Sequence, residues 1–282
     1  YWFLIGLGSA ALLVLTAAFL YLNPQIPDTR SFSEVALKAP LRIYSDDGLL
    51  IQEFGERLTP VTFEEIPPLF IKALLDTEDK RFFEHGGIDV VTLVNATWQL
   101  VRNRGQIRTG ASTITMQLVK NISGDIEVRF LRKFKEMLLA VKIERELSKE
   151  QILTLYLNII PFGKHAFGIQ AAANTYYGKD VNRLSLAQLA MLAGIPQAPE
   201  AGNPINGPRR SITRRNLVLL RMLEQGSISQ AQYDEAFQSP ITAQVYVRNV
   251  ELPALYAAEM VRKHLLQQYG SNAYNQGMIA HT

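Results

Sequence analysis

Cysteine is absent from all 282 residues. That excludes disulfides, thiolate metal sites and cysteine nucleophiles, and is compatible with an oxidising compartment. A surplus of one charge is missing too. The 29 Lys and Arg nearly balance the 26 Asp and Glu, leaving +3, which on bulk charge excludes a strongly basic nucleic-acid binder and leaves only local basic patches open. There are no internal repeats and no low-complexity tract. Apolar residues are plentiful: 48% of the chain is hydrophobic and 20% charged, the balance of a chain that folds around a packed core. The length suits one large domain or two smaller ones.

One long hydrophobic run stands out. Residues 1–22 carry no charge and are rich in Leu, Ala, Val and Phe, matching the roughly 20 residues that cross a bilayer as a helix. Tyr1, Trp2 and Tyr21 lie near its ends, where aromatic belts belong. A cleaved signal peptide has a shorter apolar core, about 7–15 residues, followed by a small-residue cleavage site, and residues 23–27 do not resemble one. An uncleaved membrane anchor is expected. The chain opens on Tyr1 and closes on Thr282 without an evident terminus, and is read as a piece of a longer protein. Residues 23–40, with three prolines, read as a linker.

Residues 41–54 alternate around Asp47 and Gly48, a hairpin pattern. Strands are expected only near residues 41–63. Beyond them the pattern is helical: 68–83, 90–101, a helix capped by Ser112, 129–147, one opened by Ser148 and Gln151 as a capping box and ending near Asn158, then 166–177, 185–193, 209–224, 229–237 and 253–268.

Four constellations carry polar groups in patterns suited to chemistry. In the first, an apolar helix leads into Glu78, Asp79, Phe82, His85 and Gly87. On one continuous helix Glu78, Phe82 and His85 share a side, and a carboxylate beside aromatic rings is open to pKa tuning. A charged, glycine-capped helix end gives the same pattern. In the second, Gly110, Ser112 and Thr113 precede Gln117 and Lys120, an amide and an ammonium one turn apart; hydroxyls here either cap a helix or bond sugars. In the third, helical spacing gives residues 129–144 an apolar stripe (Phe130, Phe134, Met137, Leu138, Val141) and a second stripe of Arg129, Lys133, Glu136, Ala140 and Glu144. Such a stripe suits a polyanion or a solvated, salt-bridged face. In the fourth, Tyr156, Asn158 and Gly163 read mostly as structural, Asn158 being the best candidate for a buried hydrogen bond.

In their order and spacing these motifs resemble the peptidoglycan glycosyltransferase family, found in class A penicillin-binding proteins and monofunctional transglycosylases. Its Glu-Asp-x-x-Phe-x-x-His-x-Gly motif matches Glu78 to Gly87. Gly-x-Ser-Thr-Ile-Thr-Gln-Gln matches Gly110 to Gln117 except at Met116. Arg-Lys-x-x-Glu with a later alanine matches Arg132, Lys133, Glu136 and Ala140. Residues 155–163 and 192–199 match two further motifs. The resemblance covers roughly residues 40–240.

The resemblance implies a mainly α, lysozyme-like fold with a membrane-proximal jaw at about 87–110. It divides the chain into an anchor (1–22), a linker with a β-hairpin (23–62), the glycosyltransferase domain (63–240) and the start of a linker to a transpeptidase domain (241–282). Neither Ser-x-x-Lys nor Lys-Thr-Gly occurs, so no transpeptidase activity is expected of these residues. An apolar helix bearing Trp98, followed by Arg102, Arg104 and Arg108, is expected in the membrane interface.

The implied reaction is polymerisation of lipid II, with inversion, into β-1,4-linked glycan strands and release of undecaprenyl diphosphate. Glu78 is the implied general base and Glu136 the second essential carboxylate. Asp79, Phe82, His85, Gly110, Ser112, Thr113, Gln117 and Asn158 are implied to shape the cleft and hold sugars, and Lys120, Arg132, Lys133 and Lys135 to stabilise the diphosphate. A divalent cation, Mg²⁺ or Mn²⁺, is implied without readable ligands. The expected partners are lipid II, the growing glycan–lipid diphosphate, the bilayer and cell-wall activators or scaffolds, with no nucleic acid. The expected place is the bacterial inner membrane, catalytic domain outward. The alternatives are a lysozyme-like enzyme that cleaves peptidoglycan and a non-catalytic membrane scaffold.

Overall fold

The structure, a computed structural model, describes residues 9, 41–54, 57–102, 112–123, 129–246, 252, 254–270, 273 and 278–282. The expected anchor, Ser9 apart, and the 23–40 linker lie outside them, as do Gly110, Arg104 and Arg108. Among the described residues no helix is long and apolar enough to cross a membrane. The chain divides into two compact units, residues 1–34 with 81–152, and residues 35–80 with 153–282.

The second unit holds a small sheet. Strands β1 (Leu41–Tyr44) and β2 (Leu50–Phe54) form the expected antiparallel hairpin, turning through Gly48 at φ 82°, a left-handed conformation that glycine adopts without steric cost. Strands β3 (Arg57–Leu58) and β4 (Ala166–Phe167) pair in parallel. A further strand, β5 (Ile279–His281), runs parallel to β1, giving the order β2-β1-β5. Strand pairing therefore extends beyond residues 41–63. Leu41, Ile43 and Ile51 form a buried cluster with Ala258 of a late helix. Three residues are too few to hold β5 alone; Ala280 packs against that cluster and His281 stacks on Tyr44.

The rest of this unit is helical: α1 (Pro68–Glu78), the C-terminal part of α5 (Lys149–Ile159), α6 (Ile169–Tyr177), α7 (Leu186–Gly194), α8 (Pro208–Glu224), α9 (Gln230–Gln238) and α10 (Leu255–Tyr269). Pro68 opens α1 and Pro208 opens α8 at the first turn, where the missing N–H costs nothing. Ser185 with Gln188 and Ser229 with Gln232 close capping boxes on α7 and α9. Helices α1, α7 and α8 pack on one another through Phe70, Leu74, Leu189, Leu192, Val218 and Leu219, all buried.

The first unit contains α2 (Val90–Arg102), α3 (Ile114–Ser123), α4 (Arg129–Glu146) and the start of α5. The predicted Ser148–Gln151 capping box is present, each side chain bonding the other's backbone N–H. The cap of α3 is Thr113, not Ser112: Thr113 Oγ1 accepts from Met116 N at 3.2 Å, while Ser112 Oγ accepts from Lys133 Nζ at 2.7 Å. The faces of α4 also differ from expectation. Among its described side chains, those buried are Glu136, Leu139, Ala140 and Ile143, whereas Phe134, Met137, Leu138 and Val141 are half-buried; the side chain of Phe130 lies outside the described ones. Apolar periodicity misplaces the face because Glu136 enters it with cationic partners, and Ala140 because a neighbouring backbone needs the space.

Candidate active site

Glu78 is the last residue of α1. The chain leaves helical geometry at Asp79 (φ −158°, ψ 71°), so residues 79–83 do not continue the helix and Glu78, Phe82 and His85 do not lie on one helical face. The change of direction sets Glu78 at a helix end, its side chain 17% exposed. Arg214 Nη2 of α8 donates to Glu78 Oε1 at 2.8 Å. Burial lowers the Arg214 pKa and the charge of Glu78 opposes that shift. Two helical turns on, Arg221 donates to the carbonyl of Thr77, so α8 holds the end of α1 at two points. Asp79 is buried, its N–H donating to Leu75 O at 2.9 Å. Tyr156 of α5 is fully buried; burial, then the charges of Glu78 and Asp79, push its phenol far above the ordinary range. It therefore stays neutral beside the carboxylates.

In the other unit a short 3-10 turn, Phe82–Glu84, buries Phe82 and carries His85. The His85 ring meets Phe82 edge-on at 6.0 Å, and its Nδ1 accepts from Gly87 N at 3.2 Å. Lys149 organises this turn. Its Nζ lies 4.2 Å over the Phe82 ring, donates to His85 O at 2.7 Å and pairs with Glu144 at 2.7 Å. Thr115 Oγ1 also donates to Glu144, at 2.6 Å.

The same unit carries a cationic group. Lys133 Nζ donates to Glu136 Oε2 at 2.9 Å and to Ser112 Oγ. Arg132 Nε stands 3.6 Å from Glu136 Oε1. Glu136 is 4% exposed while Lys133 keeps 47% of its side chain exposed, so the carboxylate anchors an ammonium that still faces solvent. Gln117 and Lys135 are part-exposed and Lys120 is exposed.

Residues 47–223 match the family model described as Transglycosylase. Penicillin-binding protein 1A of Pseudomonas aeruginosa is 48% identical over 278 residues, which cover 98% of this chain and 34% of that protein. Penicillin-binding protein 1A of Escherichia coli is 42% identical over 280 residues, covering 99% and 32%. The chain belongs to the transglycosylase family. A crystal structure of penicillin-binding protein 1A from Haemophilus influenzae shares the fold at a TM-score of 0.53 and 31% identity, covering 87% of this chain and 27% of that one. The chain spans about a third of the length of the curated relatives it matches. The fold that goes with this membership is a mainly helical, lysozyme-like transglycosylase fold with a small sheet.

Three side chains that contact the candidate residues have no motif to mark them in this role: Arg214 and Tyr156 beside Glu78, and Lys149 beside Phe82 and His85. Arg214 had only a positional signal, a cation beside the buried face made by Ser211, Arg215, Val218 and Met222. Asn158 makes the buried hydrogen bonds expected of it: Oδ1 accepts from Val61 N and Nδ2 donates to Val61 O, both at 2.9 Å.

Among the described residues no three His, Asp or Glu side chains gather to hold a metal ion, and the Glu136 oxygens already face Lys133 and Arg132.

Proposed function

We propose that this chain polymerises lipid II, joining disaccharides by β-1,4 bonds with inversion and releasing the lipid diphosphate. Glu78 takes the proton from the acceptor's 4-hydroxyl as its oxygen attacks the donor's anomeric carbon. General-base catalysis of this kind contributes about 10²–10⁴-fold. The departing diphosphate needs charge stabilisation rather than a proton, and Arg132, Lys133, Lys120 and Lys135 offer charge-assisted hydrogen bonds to it. Glu136 sets the position of Lys133 and Arg132. Asp79, Phe82, His85, Ser112, Thr113 and Gln117 shape the sugar sites.

The observation that carries this reading is the Glu78–Arg214 pair. A carboxylate held by a guanidinium and still partly exposed is arranged to accept a proton, whereas a glycan-cleaving enzyme needs a carboxylic acid to donate one. The exposed Lys133, fixed by a buried glutamate, supplies the cation a diphosphate donor requires.

Residues 1–22 would anchor the chain in the inner membrane with the catalytic part outside. Val91, Val94 and Trp98, spaced along one face of α2, are 53%, 60% and 64% exposed. An apolar face of this size, ending in Arg102, suits the lipid interface.

The test is polymerisation of labelled lipid II in detergent with Mg²⁺, wild type beside Glu78→Gln. Polymer from the wild type alone is expected. Full activity of folded Glu78→Gln would sink the base assignment, and fragments released from finished glycan would favour a cleaving enzyme.

A further inference from the structure

Glu78 is the last residue of its helix, where a carboxylate on a rotatable stem takes its direction from the element that faces it. Arg214 supplies it at 2.8 Å, and the two side chains are 17% and 16% exposed, so the contact is shielded from water and little screened by salt. The guanidinium is itself held. Its stem crosses the end of α7 at Gly194, where an added Cβ would stand 2.8 Å from Arg214 Cγ. Only a residue without a side chain lets the stem take this path. On the same helix Arg221 ties down the carbonyl of Thr77, the residue before Glu78. We infer that Arg214 is a positioning residue for the transfer reaction: it aims the Glu78 carboxylate, and Gly194 is the clearance that lets it do so. This rests on the reading of Glu78 as the base.

The physical expectation is specific. Proton abstraction depends on the direction of the carboxylate, and misplacing a reacting group by about 1 Å costs on the order of 10²-fold. Arg214 is not assigned to hold sugar or diphosphate, so its loss lowers kcat and leaves KM in place. An ammonium on a shorter stem can still reach an oxygen from the same side, so lysine recovers part of the loss, although Arg and Lys are not equivalent in geometry. Once Glu78 is an amide there is no base to aim, and removing Arg214 costs nothing more.

The experiment measures lipid II polymerisation kinetics of the whole chain in detergent for wild type, Arg214→Met, Arg214→Lys, Glu78→Gln and Glu78→Gln with Arg214→Met. Arg210→Gln, which removes an exposed cation one turn earlier on α8, is the control for bulk charge. Expected are a kcat loss of about 10–100-fold in Arg214→Met with KM within about twofold, partial recovery in Arg214→Lys, no loss in Arg210→Gln, and a double variant no slower than Glu78→Gln. Wild-type activity in Arg214→Met, a loss confined to KM, or a loss that multiplies with that of Glu78→Gln would each overturn the inference. Should Arg214→Met fail to fold by circular dichroism, Arg214→Gln carries the same comparisons. Full activity in Glu78→Gln would instead overturn the base reading, which separates the two failures.

Discussion

Gly87 has no room for a side chain because of Ala140. A Cβ built on Gly87 would lie 2.7 Å from the carbonyl carbon and oxygen of Ala140, and Gly87 sits at φ 92°. Thr113 Oγ1 closes the arrangement by donating to Gly87 O at 2.7 Å. Three residues from three separate motifs thus meet at one backbone crossing. The glycine ending the first motif, the threonine of the second and the alanine following the third are there to let two segments touch. Gly87→Ala is expected to destabilise the fold by roughly 2–5 kcal/mol, from backbone strain plus overpacking. Urea denaturation checks this, and an unchanged midpoint would refute it.

Lys133 links Ser112 to a buried carboxylate. Lys133→Ala takes from Glu136 its nearer cation and leaves Arg132 at 3.6 Å. A loss of about 1–3 kcal/mol in stability is expected, together with a fall in polymerisation. Lys133→Arg should keep much of the stability, since it preserves the charge beside Glu136. Thermal melts of the two variants, run beside their lipid II kinetics, test both statements.

Asp89 gives a pH signature. Burial alone would raise its pKa, but bonds from Arg81 and Thr92 outweigh burial and hold the carboxyl well below the ordinary range. Its oxygens accept from Arg81 Nε at 3.1 Å and from Thr92 N at 3.0 Å. A depressed folded pKa means the stabilisation is complete above the unfolded value, about 3.9, and is lost as pH falls towards the folded one. Asp89→Asn should therefore cost about 1–3 kcal/mol near pH 7, with the gap to wild type closing below about pH 4. A gap that stays constant from pH 7 to pH 3 would contradict this.

The apolar face of α2 can be tested without removing the anchor. In a Trp2→Phe protein Trp98 is the sole indole, because the chain has two tryptophans. Reconstitution into bilayers with bromine-labelled acyl chains is expected to quench its emission, since an interfacial helix sits about 5–10 Å into the headgroup–acyl boundary. Emission that stays unquenched would place this face in water.

Much of the architecture was legible in the chain. The hairpin about Gly48, the capping box at Ser148 and the run of helices followed from local patterns, because caps and turns depend on neighbours within four residues. The misreadings share one cause. The helical pattern runs on to residue 83 because nothing local marks Asp79 as an exit. Ser112 has the local pattern of a cap, and Lys133, which claims its hydroxyl, lies on another helix. The apolar stripe on α4 pointed away from the buried face because Glu136 is buried with its cations. Strand β5 was invisible because its partner β1 lies at the far end of the sequence.

By itself, then, the sequence determined which residue types stand in which order, and hence the family, the candidate base and the basic residues around Glu136. Ordered motifs keep their meaning whatever the fold does between them. Only the tertiary structure decided what holds those groups. Arg214 reaches Glu78 across 136 residues of chain, Lys149 spans the first-motif turn, and Gly87 meets Ala140. Periodicity states which residues of one helix share a face, but not which other element that face will meet. That choice is made by packing, which sums over the whole chain.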